Sequence, residues 1–109
     1  MILIRQYTTT SGKNVFASWL ESLPDRQVQA RIAARLERLS AGNFGDCKLV
    51  GGGVSELRIH HGPGYRVYFA MVERACVLLL CGGEKRRQSA DIAAAIDYLK
   101  DYRRRSTKP

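Results

Sequence analysis

The sequence predicts an α+β fold in which helices pack on an antiparallel sheet. Apolar segments separated by tight turns predict three consecutive strands between residues 54 and 81. Apolar stripes at helical spacing predict a helical hairpin before these strands and a short helix after them. At 109 residues, the chain is long enough for one domain with its own hydrophobic core, so we expect a single domain over residues 1–109.

The N-terminal part predicts a strand followed by two helices. Alternation over residues 2–7 predicts the strand, and the threonines, serine and glycine after it end it. Trp19 lies in the apolar stripe of the first helix and is expected to be a core residue. Pro24 favours the start of a second helix that runs to about Ser40. Arginines follow the flanks of this helix, where they are expected to be solvated: Arg26, Arg31, Arg35 and Arg38.

The next segment predicts a glycine-rich loop and then a β-hairpin. Residues 43–53 are interpreted as a flexible loop; they lack the Lys-Ser/Thr of a phosphate-binding loop. Gly62-Pro63-Gly64 predicts a chain reversal between two alternating strands. One face of this hairpin is apolar and should be covered by the helical hairpin. The other face carries Arg58, Arg66 and Tyr68, and we interpret it as the functional surface.

The last elements are a buried strand, a basic turn and a helix. The segment CVLLLC has no polar side, which predicts a strand covered on both faces. The turn after this strand carries three cations, Lys85, Arg86 and Arg87, directly before a helix N-terminus. This arrangement favours phosphate binding. Residues 102–109 are expected to form a flexible basic tail.

Composition narrows the class of partner. The net charge of +8 favours a polyanion, either nucleic acid or an acidic protein, although solubility alone is an alternative. The three cysteines match no metal spacing and are expected to be buried and reduced, and we expect no metal and no cofactor. No apolar segment is long enough for a membrane span and the start lacks the features of a signal peptide, so we expect a cytoplasmic protein without a membrane partner.

Two segments, ELRIHHGPGYRVYF and VLLLCGGEKRRQSADI, resemble a known family when combined with this order of elements. They are similar to the RelE/ParE superfamily of toxins from bacterial type II toxin–antitoxin modules. The resemblance is strongest to the HigB-like branch, also called phage-derived Gp49-like or addiction-module killer proteins. It covers nearly the whole chain and implies a RelE-like fold. It also implies a ribosome-dependent, metal-independent endoribonuclease that cleaves mRNA, and a cognate antitoxin that carries any helix-turn-helix motif.

The resemblance also implies site residues. Arg58 and Arg66 match arginines that family members present from adjacent strands, and Lys85 and Arg87 match the basic turn after the last strand. Two positions depart from the RelE-like pattern. Glu56 replaces a lysine, and Asp91 replaces a tyrosine near the start of the last helix.

Metal-free RNA cleavage needs groups that remove a proton, stabilise negative charge and protonate a leaving oxygen. Arg58 and Arg66 are therefore candidates for a phosphate clamp, with structural pairing to Glu56 or Glu73 across the hairpin as the alternative. Lys85 is a candidate for charge stabilisation or proton transfer. His60 is a candidate proton carrier, with an ordinary turn residue as the alternative, whereas His61 is expected to face away or lie in the turn. Our candidates for RNA contacts are Lys48, Tyr68, Arg86 and Arg87. Tyr68 would stack on a base, with core packing as an equal alternative.

Two other functions remain open from the sequence. A ParE-like toxin would poison DNA gyrase by binding it, without nuclease activity. A basic RNA-binding module would have no toxicity. Codon preference, oligomeric state and the identity of the antitoxin do not follow from the residues.

Overall fold

The computed structural model describes residues 1–106 and contains a five-stranded mixed sheet with helices on both faces. This arrangement confirms the predicted α+β class. The strand order is β1-β5-β4-β3-β2, with β1 parallel to β5 and the other pairs antiparallel. The elements are β1 (Leu3–Gln6), α1 (Val15–Ser22), α2 (Arg26–Ser40), β2 (Cys47–Gly51), β3 (Val54–Ile59), β4 (Tyr65–Glu73), β5 (Cys76–Glu84), a 3-10 turn (Lys85–Arg87) and α3 (Gln88–Ser106).

The sheet separates two hydrophobic cores, because successive strand residues point to opposite faces. The first core joins α1 and α2 to one face and includes Phe16, Ile32 and Val67. The second core joins α3 to the other face and includes Tyr68 and Leu99. Every residue of the segment 76–81 in β5 is buried, which confirms the prediction of a strand covered on both sides.

The face predicted to be the functional surface is largely covered, so that interpretation is wrong for most of its area. Helix α3 packs on this face, and Glu56, Arg66 and Tyr68 lie beneath it with at most 6% of their surface exposed. The reason is the length of α3, whose apolar stripe continues to Tyr102. The end of the face near the β3–β4 turn is open to solvent.

The predicted flexible tail is helical over residues 102–106, and residues 107–109 lie outside the described part of the chain. The last turns of α3 are attached to the N-terminal segment. The Tyr7 hydroxyl donates to Asp101 at 2.6 Å, and the Arg105 guanidinium donates to the Thr8 carbonyl at 2.5 Å. None of the helices within residues 1–106 is long and apolar enough to cross a membrane.

The glycine-rich loop contains a strand that the sequence did not indicate. β2 pairs with β3 at the edge of the sheet, and the turn between them uses Gly52 and Gly53 with φ of 58° and 84°. A Cβ at Gly52 would lie 2.9 Å from Cγ1 of Ile96 in α3. Glycine therefore serves a tight turn and the close approach of a helix here, rather than flexibility.

All three cysteines are free thiols. Cys76 and Cys81 are buried as predicted, whereas Cys47 is only half-buried, which differs from the prediction. Burial raises the pKa of the Cys81 thiol to about 12, so this group stays protonated and weakly reactive at neutral pH.

Gly82 provides the space for the indole ring of Trp19, since a Cβ at this position would overlap with the ring. We expect Gly82→Ala to lower the free energy of unfolding by about 1–3 kcal/mol, because overpacking forces the ring or the strand to shift. Urea denaturation measures this loss. The loss should shrink in a Trp19→Leu background, where the smaller side chain leaves room. An equal loss in both backgrounds would assign the effect to something other than this contact.

Candidate functional site

A shallow depression of about 320 Å³ opens at the β3–β4 turn. It combines two imidazoles, one lysine and one arginine around a glycine-proline turn. Its lining residues are His60, His61, Gly62, Pro63, Gly64, Arg66 and Lys85. The predicted site residues Arg66, Lys85 and His60 are therefore brought together.

The glycine turn sets the distance between the two cations of the depression. The backbone N–H of Lys85 donates to the Gly64 carbonyl at 3.0 Å, which fixes the start of the 3-10 turn against the hairpin. Gly64 has a φ of 85°, a conformation that favours glycine. A Cβ at Gly64 would lie 3.4 Å from Cβ of Lys85 and 3.9 Å from Nη1 of Arg66. Both cationic residues thus border the same glycine.

Each histidine of the depression is paired with an aspartate. Nε2 of His60 lies 2.6 Å from Oδ2 of Asp46, and Nε2 of His61 lies 3.2 Å from Oδ2 of Asp25. A carboxylate in this position fixes the orientation and tautomer of an imidazole. Because both carboxylates bond to Nε2, Nδ1 is the nitrogen left for a substrate. His60 is exposed and His61 is mostly buried, with 72% and 21% of the side chain accessible.

The two aspartates remain ionised at neutral pH. The hydrogen bond from His60 lowers the pKa of Asp46, against a smaller opposing effect of burial. The pKa of Asp25 is lowered mainly by the backbone N–H of Gln27 and then by His61. Asp25 is also the N-cap of α2, where it accepts the Gln27 N–H at 2.8 Å. One carboxylate thus starts a helix and orients an imidazole.

Arg66 reaches the depression from a buried polar cluster centred on Glu56. The Glu56 carboxylate is 1% exposed and accepts from Nε of Arg58 at 3.0 Å and from Gln88 at 2.8 Å. Its Oε2 lies 3.7 Å from Nε of Arg66. Nη1 of Arg66 donates to the Tyr65 carbonyl at 3.2 Å. Glu56 neutralises part of the charge of both arginines and holds Arg66 in place.

The predicted clamp of two arginines is not formed as an open site. Arg58 and Arg66 are direct partners in the β3–β4 register, which places them side by side. However, Arg58 also lies 3.7 Å from Asp46 and does not line the depression. Two carboxylates pair with its guanidinium. Arg58 is therefore in structural ion pairs, which was the alternative to a catalytic role.

Tyr68 was a candidate for stacking on an RNA base, with core packing as the equal alternative, and the structure places it in the core. The side chain is fully buried in the core beneath α3, and burial raises the pKa of its hydroxyl. The reason is again α3, which covers the face that Tyr68 shares with Arg66.

The remaining predicted RNA contacts lie outside the depression. Lys48 is exposed on the edge strand β2, opposite Glu56 in the register. Arg86 and Arg87 are exposed and lie 3.5 and 4.0 Å from Glu84 and Asp91. A role in binding RNA stays a prediction for these three cations.

Asp91, which departs from the RelE-like pattern, points inward over β5. A Cβ at Gly83 would overlap with its carboxylate, and burial raises the pKa of this group.

Sequence reasoning missed His61 and both aspartates. The adjacent histidines before Gly62-Pro63-Gly64 were a visible signal for His61, since a tight turn can present both rings. Asp25 and Asp46 carried no such signal, because they lie 36 and 14 residues from the histidines that they contact.

Comparison with known proteins identifies relatives that cover most of the chain, including the depression. The family described as Phage derived protein Gp49-like (DUF891) matches residues 18–105, which include every residue of the depression. An uncharacterized protein of Haemophilus influenzae is 50% identical over 80 residues, which cover 73% of this chain and 81% of the relative. With most of its length matched by the family, the chain belongs to the phage-derived Gp49-like proteins.

Proposed function

We propose that the protein is the toxin of a type II toxin–antitoxin module, in the HigB-like branch of the RelE/ParE superfamily. In this proposal it acts in the cytoplasm and cleaves ribosome-bound mRNA without a metal ion. The Gp49-like family is associated with addiction-module toxins, and the net charge of +8 suits RNA as a partner. One observation carries the nuclease proposal: two aspartate-supported imidazoles lie in one depression with Arg66 and Lys85.

These groups supply the three functions that cleavage requires. One imidazole accepts the proton of a ribose 2′-hydroxyl while the 2′-oxygen forms a bond to the adjacent phosphorus. Lys85 and Arg66 stabilise the additional negative charge on the phosphoryl oxygens. The second imidazole donates a proton to the 5′-oxygen as its bond to phosphorus breaks. The products are a 2′,3′-cyclic phosphate and a 5′-hydroxyl.

Lys85 offers the clearest test, because its side chain is exposed and its ammonium has no carboxylate partner within residues 1–106. Purified protein added to a translating bacterial extract should yield cleaved message. Lys85→Ala should slow cleavage by about 100-fold or more, because it removes a group that stabilises the transition state. Primer extension on the message measures both results.

Arg74→Ala provides the matched control, since Arg74 is exposed in the turn between β4 and β5 and the change in charge is the same. The control should cleave at the wild-type rate. Intact message with the wild-type protein, or equal rates for the two variants, would argue against a nuclease at this depression.

The proposed protein partner is a cognate antitoxin that carries a helix-turn-helix motif. An acidic segment of this antitoxin would cover the cationic depression and exclude RNA, which is a common way to block a basic site.

A ParE-like gyrase poison is the second candidate, and Glu56 favours it. This buried carboxylate binds both strand arginines and reduces the positive charge available for a phosphate. Loss of gyrase supercoiling with an intact message in the extract would select this function. Cleaved message with unaffected supercoiling would select the nuclease.

A further inference from the structure

We infer that a second phosphate-binding site for the same RNA strand lies between α2 and the end of β3. This inference rests on the proposed nuclease function and extends its substrate contacts. A second depression of about 270 Å³ is lined by Arg31, Ala34, Arg35, Arg38, Ile59 and His60. His60 also lines the first depression, so the two are contiguous across this imidazole.

Three arginines of α2 define the second depression, here called the α2 groove. Arg31, Arg35 and Arg38 follow an i, i+4, i+7 spacing that places them on one side of the helix. Neighbouring like charges at this spacing repel each other. Within residues 1–106, Arg31 and Arg38 are exposed and neither has a carboxylate partner. An external anion would remove the repulsion.

Arg35 distinguishes the α2 groove from an ordinary solvated flank. Its guanidinium is half-buried and donates to the carbonyls of Arg58, Asp46 and Phe44 at 2.5, 3.2 and 3.3 Å. These bonds attach α2 to the end of β3 and to the segment that carries Asp46. The same segment supports His60, so Arg35 is a positioning residue that holds the wall shared by both depressions.

The geometry suits a phosphodiester backbone better than a single small anion. A strand whose reactive phosphate lies beside Lys85 and Arg66 continues past His60 into the α2 groove. The planar guanidinium groups of Arg31 and Arg38 match phosphate oxygens in a bidentate manner. Ile59 and Ala34 give the groove an apolar surface between these charges. Such contacts increase affinity without base preference.

The test measures binding without cleavage, using a single-stranded RNA whose 2′-hydroxyls are methylated and therefore cannot attack phosphorus. Fluorescence anisotropy across a salt series gives the slope of log affinity against log salt. The double variant Arg31→Gln/Arg38→Gln should reduce this slope by about 1.4, since each lost phosphate contact on a single strand contributes about 0.7. A dinucleotide, which is too short to reach the α2 groove, should bind both proteins equally.

The double variant Arg26→Gln/Arg74→Gln is the matched control, because it removes the same charge from exposed positions outside both depressions. Its slope should change clearly less than that of the groove variant. Equal changes for the two double variants would overturn the inference and leave the nuclease proposal standing. An absence of RNA binding by the wild type would also overturn the inference, and the extract assay would still decide the nuclease proposal. The groove variant could also lose co-sedimentation with ribosomes while its oligonucleotide binding stays unchanged. That result would assign the α2 groove to ribosomal RNA and overturn its assignment to the substrate strand.

Discussion

Replacing Glu56 with alanine is expected to lower the free energy of unfolding by about 3–5 kcal/mol, the usual cost of removing one partner from a buried ion pair. The change leaves Arg66, which is 6% exposed, without its carboxylate beneath α3. It also removes the acceptor of Gln88 at the first residue of α3. Arg58 retains Asp46 and solvent, so Arg66 accounts for most of the loss. Urea denaturation measures the difference.

Glu73→Ala is the matched control, because Glu73 also pairs with an arginine from a strand position. Its carboxylate lies 3.1 Å from Arg5, but both side chains are exposed, and such pairs contribute at most about 1 kcal/mol. Glu56→Gln keeps the shape of the side chain and one acceptor oxygen, so it should give an intermediate loss and a folded protein. A loss for Glu56→Ala no larger than that of the control would mean that the buried cluster does not stabilise the fold.

Local patterns were sufficient for most of the elements. The hairpin of β3 and β4 was predictable because alternation and Gly62-Pro63-Gly64 lie within a few residues of each other. The helical hairpin was predictable from apolar periodicity and Pro24. β2 was not, because a five-residue edge strand with two exposed members and a glycine at its end resembles a loop.

The functional surface was misplaced for a non-local reason. Arg58, Arg66 and Tyr68 do share one face of the sheet, as alternation predicted. Further along the same face, however, Ala70, Leu78 and Leu80 form an apolar surface that α3 covers. The sequence contained this apolar surface, but nothing in it specified which helix would cover it.

The cations of the candidate site were identified more successfully than its proton carriers. Arg66 belongs to the hairpin of β3 and β4, and Lys85 directly follows β5, which pairs with β4. Their proximity at the glycine turn therefore follows from local strand pairing. The aspartate partners of the histidines come from the start of α2 and from the segment before β2. Their positions depend on how α2 packs on the sheet. The α2 groove depends on the same packing, and so its arginines were interpreted as a solvated flank.

The histidine pair gives the prediction with the largest expected effect on activity. His60→Ala and His61→Ala should each slow single-turnover cleavage by about 10²–10⁴-fold, the usual contribution of a positioned acid or base. The double variant should be little slower than the slower single variant, because groups that act as one unit are not additive.

Asp25→Asn separates the two roles of this side chain. Asparagine caps helices as well as aspartate does, so the free energy of unfolding should stay close to that of the wild type. The amide cannot supply the negative charge that orients His61, so cleavage should slow. Asp97→Asn, at an exposed position of α3, is the control and should leave the cleavage rate unchanged.

The aspartates determine how the two aspartate–histidine pairs respond to a falling pH. Because hydrogen bonds lower the pKa of Asp25 and Asp46, both pairs persist at neutral pH and are lost as the pH falls through these lowered values. Acidification should therefore break the hydrogen bonds between the aspartates and His60 and His61. This should happen only at a pH lower than that at which an unpaired aspartate takes up a proton. If His61→Ala or Asp25→Asn cleaved message with a wild-type rate and pH profile, the second imidazole would have no part in proton transfer. Lys85 would then be the remaining candidate for that step, and Lys85→Ala should remove the activity that the histidine variant retained.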